Sequence, residues 1–141
     1  RENFITFFLA VYDYEKKNLR YINAGHNPPL LMNGQPKIER LTTGTTVLGA
    51  FEPLPFIDMG CVENLEHFSL FLFTDGVTET FNENEEEFGN ERLESFLIEN
   101  YDTPLEELHK KLLTELNTFN AGKTFSDDLT FLSCKVNNAS V

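Results

Sequence analysis

The sequence predicts an α+β fold, part of an α-β-β-α sandwich in which mainly antiparallel sheets carry a C-terminal helical pair on one face. Three observations support α+β. Short apolar runs separated by turn signals fill the first two-thirds of the chain. Leu105, Leu108, Leu112, Leu116 and Phe119 then repeat at helical spacing. A last apolar run, Leu129 to Val136, returns as a strand. The placement within a four-layer sandwich comes from a family resemblance described below.

The elements follow in order. Ile5 to Tyr12 is apolar at both parities, as in a strand buried on both faces. The polar stretch Asp13 to Asn18 is a hairpin loop into Leu19 to Asn23. Asn33-Gly34 lies between Pro29 to Met32 and Lys37 to Leu41 and signals a two-residue hairpin turn. Gly44 and Gly49 bracket a loop or short strand at Thr46 to Leu48. Phe56 to Val62 and Glu66 to Thr74 are further strands, the second ending in the apolar run Leu70 to Phe73. Asn90 is placed to N-cap a helix with Leu93, Phe96 and Leu97 on its apolar face. Thr103, Pro104 and Glu106 form a capping-box pattern for the next helix, which Gly122 can stop.

Composition narrows the function classes. The 141 residues fit one domain, and 23 acidic against 11 basic side chains leave a net charge of −12. Such a charge argues against electrostatic binding of nucleic acid or an anionic membrane. A 40% hydrophobic content with 14 Phe argues against disorder. No apolar run approaches the ~20 residues needed to span a bilayer. Cys61 and Cys134 have no metal-ligand spacing, and read as buried thiols in a reducing compartment. The chain opens on Arg1 and runs almost at once into a strand, so it reads as a piece of a longer protein. From Glu79 to Glu107 there are 11 acidic residues against the single Arg92, a pattern of a solvated face or, alternatively, a partner-binding surface.

Two acidic clusters adjoin apolar strands. Asp75 follows directly on Phe73-Thr74, and Gly76 suits a sharp turn there. Asp127 and Asp128 open the last strand. Carboxylates at the ends of neighbouring strands converge, and hard cations such as Mg²⁺ or Mn²⁺ take oxygen ligands. Taken singly, each cluster is also an ordinary turn or strand-end sequence. A haloacid-dehalogenase-type nucleophile is excluded because Phe73 stands where its Asp is needed. An EF-hand at Asn82 to Glu87 is excluded because Glu87 stands where Gly is required. His26 lies in a Gly/Pro-rich loop after a strand, a place for either a turn residue or a functional one. His67 begins a strand and His109 falls on the polar side of a helix, so both are weaker candidates.

The ordered segments carry a resemblance. Phe4-Ile5-Thr6, then Leu19 to Leu31 with Asn23-Ala24-Gly25-His26-Asn27-Pro28-Pro29, then Leu48-Gly49, Leu72 to Glu79, Phe88-Gly89 and Ser126 to Thr130 follow one another over nearly the whole chain. Together they resemble the bacterial PPM-type serine/threonine phosphatases, in the group of the sporulation stage II protein E and regulator-of-sigma-factor phosphatases. The resemblance implies a β-sandwich flanked by helices, with residues 1–137 forming the C-terminal portion of one such domain and 138–141 a tail. It implies two Mn²⁺ or Mg²⁺ ions activating a water that hydrolyses phosphoserine or phosphothreonine without a phosphoenzyme. By position, Asp75 and Asp127 resemble metal ligands of the family, with Asp128 as a close neighbour. Gly76 would let the backbone turn beside the metal. His26 would stand near the metal centre or simply orient its loop.

The resemblance also implies a partner and a deficit. The substrate would be a phosphorylated regulatory protein, a STAS-type anti-anti-sigma factor, in the cytoplasm. The family's earlier Gly-Asp-x-x-Gly-His-Gly-like motif, and an acidic residue before it, have no counterpart in this sequence. Two octahedral ions need about twelve ligand positions, more than the carboxylates here supply. The chain alone is therefore expected to be inactive and to expose apolar strand faces or open edges, which favour self-association. A non-catalytic binding module on a phosphatase fold is the competing reading.

Overall fold

A computed structural model describes residues 3–138. The expected hairpin forms first: β1 (Phe7–Asp13) pairs antiparallel with β2 (Asn18–Ala24) around a polar loop. Asp13 Oδ1 shapes that loop by accepting from the backbone N–H groups of Glu15 and Lys16. On its other edge, β2 pairs in parallel with β5 (Gly44–Thr45) and antiparallel with β6 (Gly60–Val62). These four strands make the first sheet. The second is antiparallel throughout, in the order β4 (Ile38–Arg40), β3 (Leu30–Met32), β7 (His67–Phe73), β8 (Phe131–Asn137).

Alternation along the second sheet explains how the layers stack. Leu31, Phe68 and Leu70 face the first sheet and pack with Leu19 and Tyr21. Leu30, Met32, Phe71 and Phe73 face the other way, onto α2 (Gly89–Glu99) and α3 (Leu105–Phe119). The helices answer with Leu93, Phe96, Leu97, Leu108, Leu112 and Leu116, all buried. The described residues thus form three layers, sheet on sheet on helices. This agrees with the α+β expectation and with a helical pair on one face.

The structure corrects several local expectations. Strand β1 is not buried on both faces: Phe8, Ala10 and Tyr12 pack inward, while Phe7, Leu9 and Val11 are each about half exposed. Among the described residues nothing covers that outer face. The connection at Asn33-Gly34 is longer than two residues, because Met32 pairs with Ile38; of its residues only Gly34 has positive φ. Pairing at β6 begins only at Gly60, and Phe56, Ile57 and Met59 are at least half exposed.

The helix caps also differ. The helix expected from Asn90 begins at Gly89, with Phe88 at its N-cap. The capping box is not made, since Pro104 occupies the N-cap of α3 and no side chain bonds there. That helix closes with two bonds, Ala121 N–H to the Thr118 carbonyl and Gly122 N–H to the Asn117 carbonyl. The residue that turns left-handed first is Ala121, at φ 56°.

Both cysteines are free and exposed, not buried. Cys61 sits opposite the exposed Arg20 on the first sheet. Cys134 lies on β8, which has one strand neighbour and so leaves its flank open. At the C-terminal end, Asn138 is anchored by bonds to the Tyr12 hydroxyl and the Tyr14 carbonyl. Residues 139–141 of the expected tail, like Arg1, lie outside the described residues. Among the described residues no helix is long and apolar enough to cross a membrane.

Candidate functional site

Strand β7 delivers Thr74 and Asp75 to one end of the second sheet. Asp75 opens a four-residue helix, α1 (Asp75–Thr78), where the sequence suggested only a turn. Strand β8, its antiparallel neighbour, starts at Phe131, so the segment before it arrives at the same end. Four bonds join the two there, one of them from Thr74 Oγ1 to the Thr130 carbonyl at 3.3 Å. Thr74 N–H donates to the Thr130 carbonyl at 3.0 Å, Thr130 N–H donates to Thr74 Oγ1 at 3.2 Å, and Thr74 Oγ1 reaches the Asp128 carbonyl at 3.4 Å.

Gly76 fits between them. A Cβ at this position would lie 2.1 Å from the Asp128 carbonyl oxygen and 3.2 Å from Leu129 Cα. Its φ is not positive, so glycine is required here by close approach rather than by the sharp turn the sequence suggested. The Gly76 carbonyl is fixed in turn by the buried Thr80 hydroxyl at 2.9 Å.

The structure therefore brings the backbones carrying Asp75 and Asp128 into contact. Asp75, Asp127 and Asp128 are all exposed. The Asp127 carboxylate accepts from the Asp128 N–H at 2.7 Å. No Lys or Arg pairs with any of the three among the described residues. Exposed, unpaired carboxylates suit a hard divalent cation in kind. In number they do not complete a site: among the described residues no three His, Cys, Asp or Glu side chains form a group that could hold a metal.

His26 sits near this end but is turned into its own loop, with Nδ1 2.8 Å from the Asn27 carbonyl oxygen. The residue that reaches the carboxylate is its neighbour. Asn27 Nδ2 donates to Asp75 Oδ1 at 2.6 Å. Reading the sequence for titratable groups singled out His26 and passed over Asn27. The available signal was the polar loop ahead of Pro28 and Pro29, which marks a fixed backbone but not the direction of a side chain.

The family model for Stage II sporulation protein E (SpoIIE) matches residues 1–137. The chain belongs to the SpoIIE family. Among curated proteins, it is 33% identical over 131 residues to Protein IcfG of Synechocystis sp., covering 92% of this chain and 20% of that protein. It is 28% identical over 120 residues to the phosphoserine phosphatase RsbP of Bacillus subtilis, covering 85% of this chain and 28% of RsbP. The chain thus spans well under a third of either relative.

Solved structures agree on the fold. The SiaA-PP2C domain of Pseudomonas aeruginosa superposes with a TM-score of 0.78 at 20% identity, covering 95% of this chain and 52% of that one. The manganese-presoaked SpoIIE phosphatase domain of Bacillus subtilis gives 0.62 at 15% identity, covering 96% and 58%. This SpoIIE-family chain is therefore a PP2C-like α+β unit matching just over half of each of those structures.

Proposed function

We propose that this chain is the C-terminal part of a phosphatase domain that, within its parent protein, hydrolyses phosphoserine or phosphothreonine on a regulatory protein. The observation that carries this reading is the junction at Gly76, which packs the Asp75 segment against the Asp127–Asp128 segment at one end of the second sheet. Membership of the SpoIIE family and likeness to a named phosphoserine phosphatase support it. A STAS-type anti-anti-sigma factor is the substrate we favour, on the family resemblance.

Asp75, Asp127 and Asp128 are the residues that would hold Mn²⁺ or Mg²⁺, and the manganese-soaked neighbour supports that choice of metal. Bound there, such ions supply a water of lowered pKa and neutralise phosphoryl oxygens. This chain contributes exposed oxygen donors, and a backbone junction packs the segments that carry them against each other. Three carboxylates do not fill two octahedral shells, so further donors come from elsewhere in the parent, and the chain alone is inactive. The half-exposed Phe7, Leu9 and Val11 form an apolar face for that remaining part of the domain or for a second copy. Two free, exposed cysteines suit a reducing, cytoplasmic setting.

The test is turnover of a phosphoserine protein by the intact parent with and without Mn²⁺. Asp75→Asn and Asp127→Asn should each abolish metal-dependent hydrolysis while leaving thermal unfolding nearly unchanged. Near-normal activity in either variant removes that residue from the site. The incomplete donor group among the described residues favours one second reading, a non-catalytic binding module. A parent that neither binds Mn²⁺ nor turns over substrate would favour it over the phosphatase reading.

A further inference from the structure

We propose that Asn27 is a positioning residue for the Asp75 carboxylate. It holds one oxygen of that group so that the other is presented to a divalent cation, and the buried Asn23 braces the loop from which it acts. This inference rests on Asp75 being a metal ligand.

Asn27 Nδ2 donates to Asp75 Oδ1 at 2.6 Å, the one side-chain bond the carboxylate makes among the described residues. A free aspartate at a strand end samples several rotamers, and binding a cation through it costs the entropy of choosing one. A fixed donor on one oxygen makes that choice in advance. A neutral amide does so without cancelling the charge that a cation needs, as a Lys or Arg in the same place would.

The donor must itself be fixed, and the loop shows how. Asn23, at 4% exposure, ends its three polar contacts on the loop and its flank. Its Nδ2 donates to the His26 carbonyl at 3.0 Å and to the Leu41 carbonyl at 3.0 Å, while its Oδ1 accepts from the His26 N–H at 2.8 Å. On the other side, Pro28 restricts Asn27 to extended backbone. Pro29 is fully buried, and its carbonyl accepts from the Leu41 N–H at 2.9 Å. The loop is thus tied down both before and after Asn27. His26 Nδ1 lies against the Asn27 carbonyl within the same loop.

The experiment measures Mn²⁺ affinity of the intact parent by calorimetry, and thermal unfolding of the same proteins without metal. Asn27→Ala removes the donor. Loss of such an outer-shell partner weakens metal binding by about 10–100-fold. We expect a loss in that range for Asn27→Ala, with a metal-free unfolding temperature unchanged in that variant. Asp75→Asn is the reference for the site itself. Wild-type affinity in Asn27→Ala beside a weakened Asp75→Asn overturns the positioning role and spares the site. Weakened affinity accompanied by a matching fall in the metal-free unfolding temperature also overturns it, making Asn27 a structural brace. Wild-type affinity in Asp75→Asn overturns the site assignment and this inference with it.

Discussion

Replacing Gly76 by alanine tests the junction on which the functional reading stands. The new Cβ would sit 2.1 Å from the Asp128 carbonyl oxygen and 2.8 Å from its carbon. Ordinary contact needs about 3.5 Å, so a gap of roughly 1.4 Å must open between two backbones. Neither side yields easily, because the obstacle is main chain rather than the end of a flexible side chain. Overpacking of this kind costs about 1–3 kcal/mol. Alanine is the better helix former by up to ~1 kcal/mol, but α1 has a single turn, so little of that offset is available. A net loss of roughly 1–2 kcal/mol should lower the midpoint of thermal unfolding by about 3–8 °C.

On the proposed function, separating the Asp75 and Asp128 backbones should also cost the parent most of its metal-dependent turnover. Gly89→Ala supplies the control. At Gly89 the φ of +76° strains any side chain, but nothing lies within 4 Å of the new Cβ. That variant should lose about 1–2 kcal/mol of stability through the backbone alone and keep its turnover. Thermal melts of both variants, with Mn²⁺-dependent phosphoserine hydrolysis in the parent, decide the matter. A Gly76→Ala protein that melts and turns over like wild type would refute the claim that this contact holds the site together.

Other outcomes follow from the same structure. Leu112, fully buried between the helices and the second sheet, should cost about 2–5 kcal/mol when cut to alanine, read by chemical denaturation. Ala121→Gly should raise stability by up to ~1 kcal/mol, since glycine relieves the left-handed residue at the end of α3; an unchanged melt would argue against the cap described. The side-chain hydrogen bond and charge of Lys17 hold the Glu66 carboxyl below its ordinary 4.5. A lowered folded pKa adds stability above the unfolded value and forfeits it as pH falls through the folded one. Glu66→Gln should therefore melt slightly below wild type at neutral pH, and the difference should vanish in acid and shrink in salt.

Much of this architecture was legible wherever one local signal decided it. The stripe Leu108, Leu112, Leu116 forms the buried face of α3, and the apolar run to Phe73 forms β7. What escaped depends on contacts distant in sequence. Apolar residues at both parities of β1 show that two faces could be covered, not that both are. The role of Gly76 lies in Asp128, more than fifty residues away, so Asp-Gly looked like a turn. The two acidic segments were recognisable because each adjoins an apolar strand, and their neighbouring strands bring them together. Asn27 was missed because its partner is Asp75, again across the sheet. The Thr103 capping box failed because Pro104 already sets the N-cap backbone, leaving the threonine outside the helix.

The unequal cover of the two sheets has a kinetic consequence. Phe71 and Leu70 on β7 lie beneath apolar layers on opposite sides, so their amides should exchange with solvent only when the whole unit opens. Strand β1 is clasped on one side and pairs along one edge with β2, so it can peel away while the second sheet and its helices persist. Deuterium should enter Phe7 to Val11 well before it enters His67 to Phe73. A binding partner that covers Phe7, Leu9 and Val11 would close that difference in exchange rate.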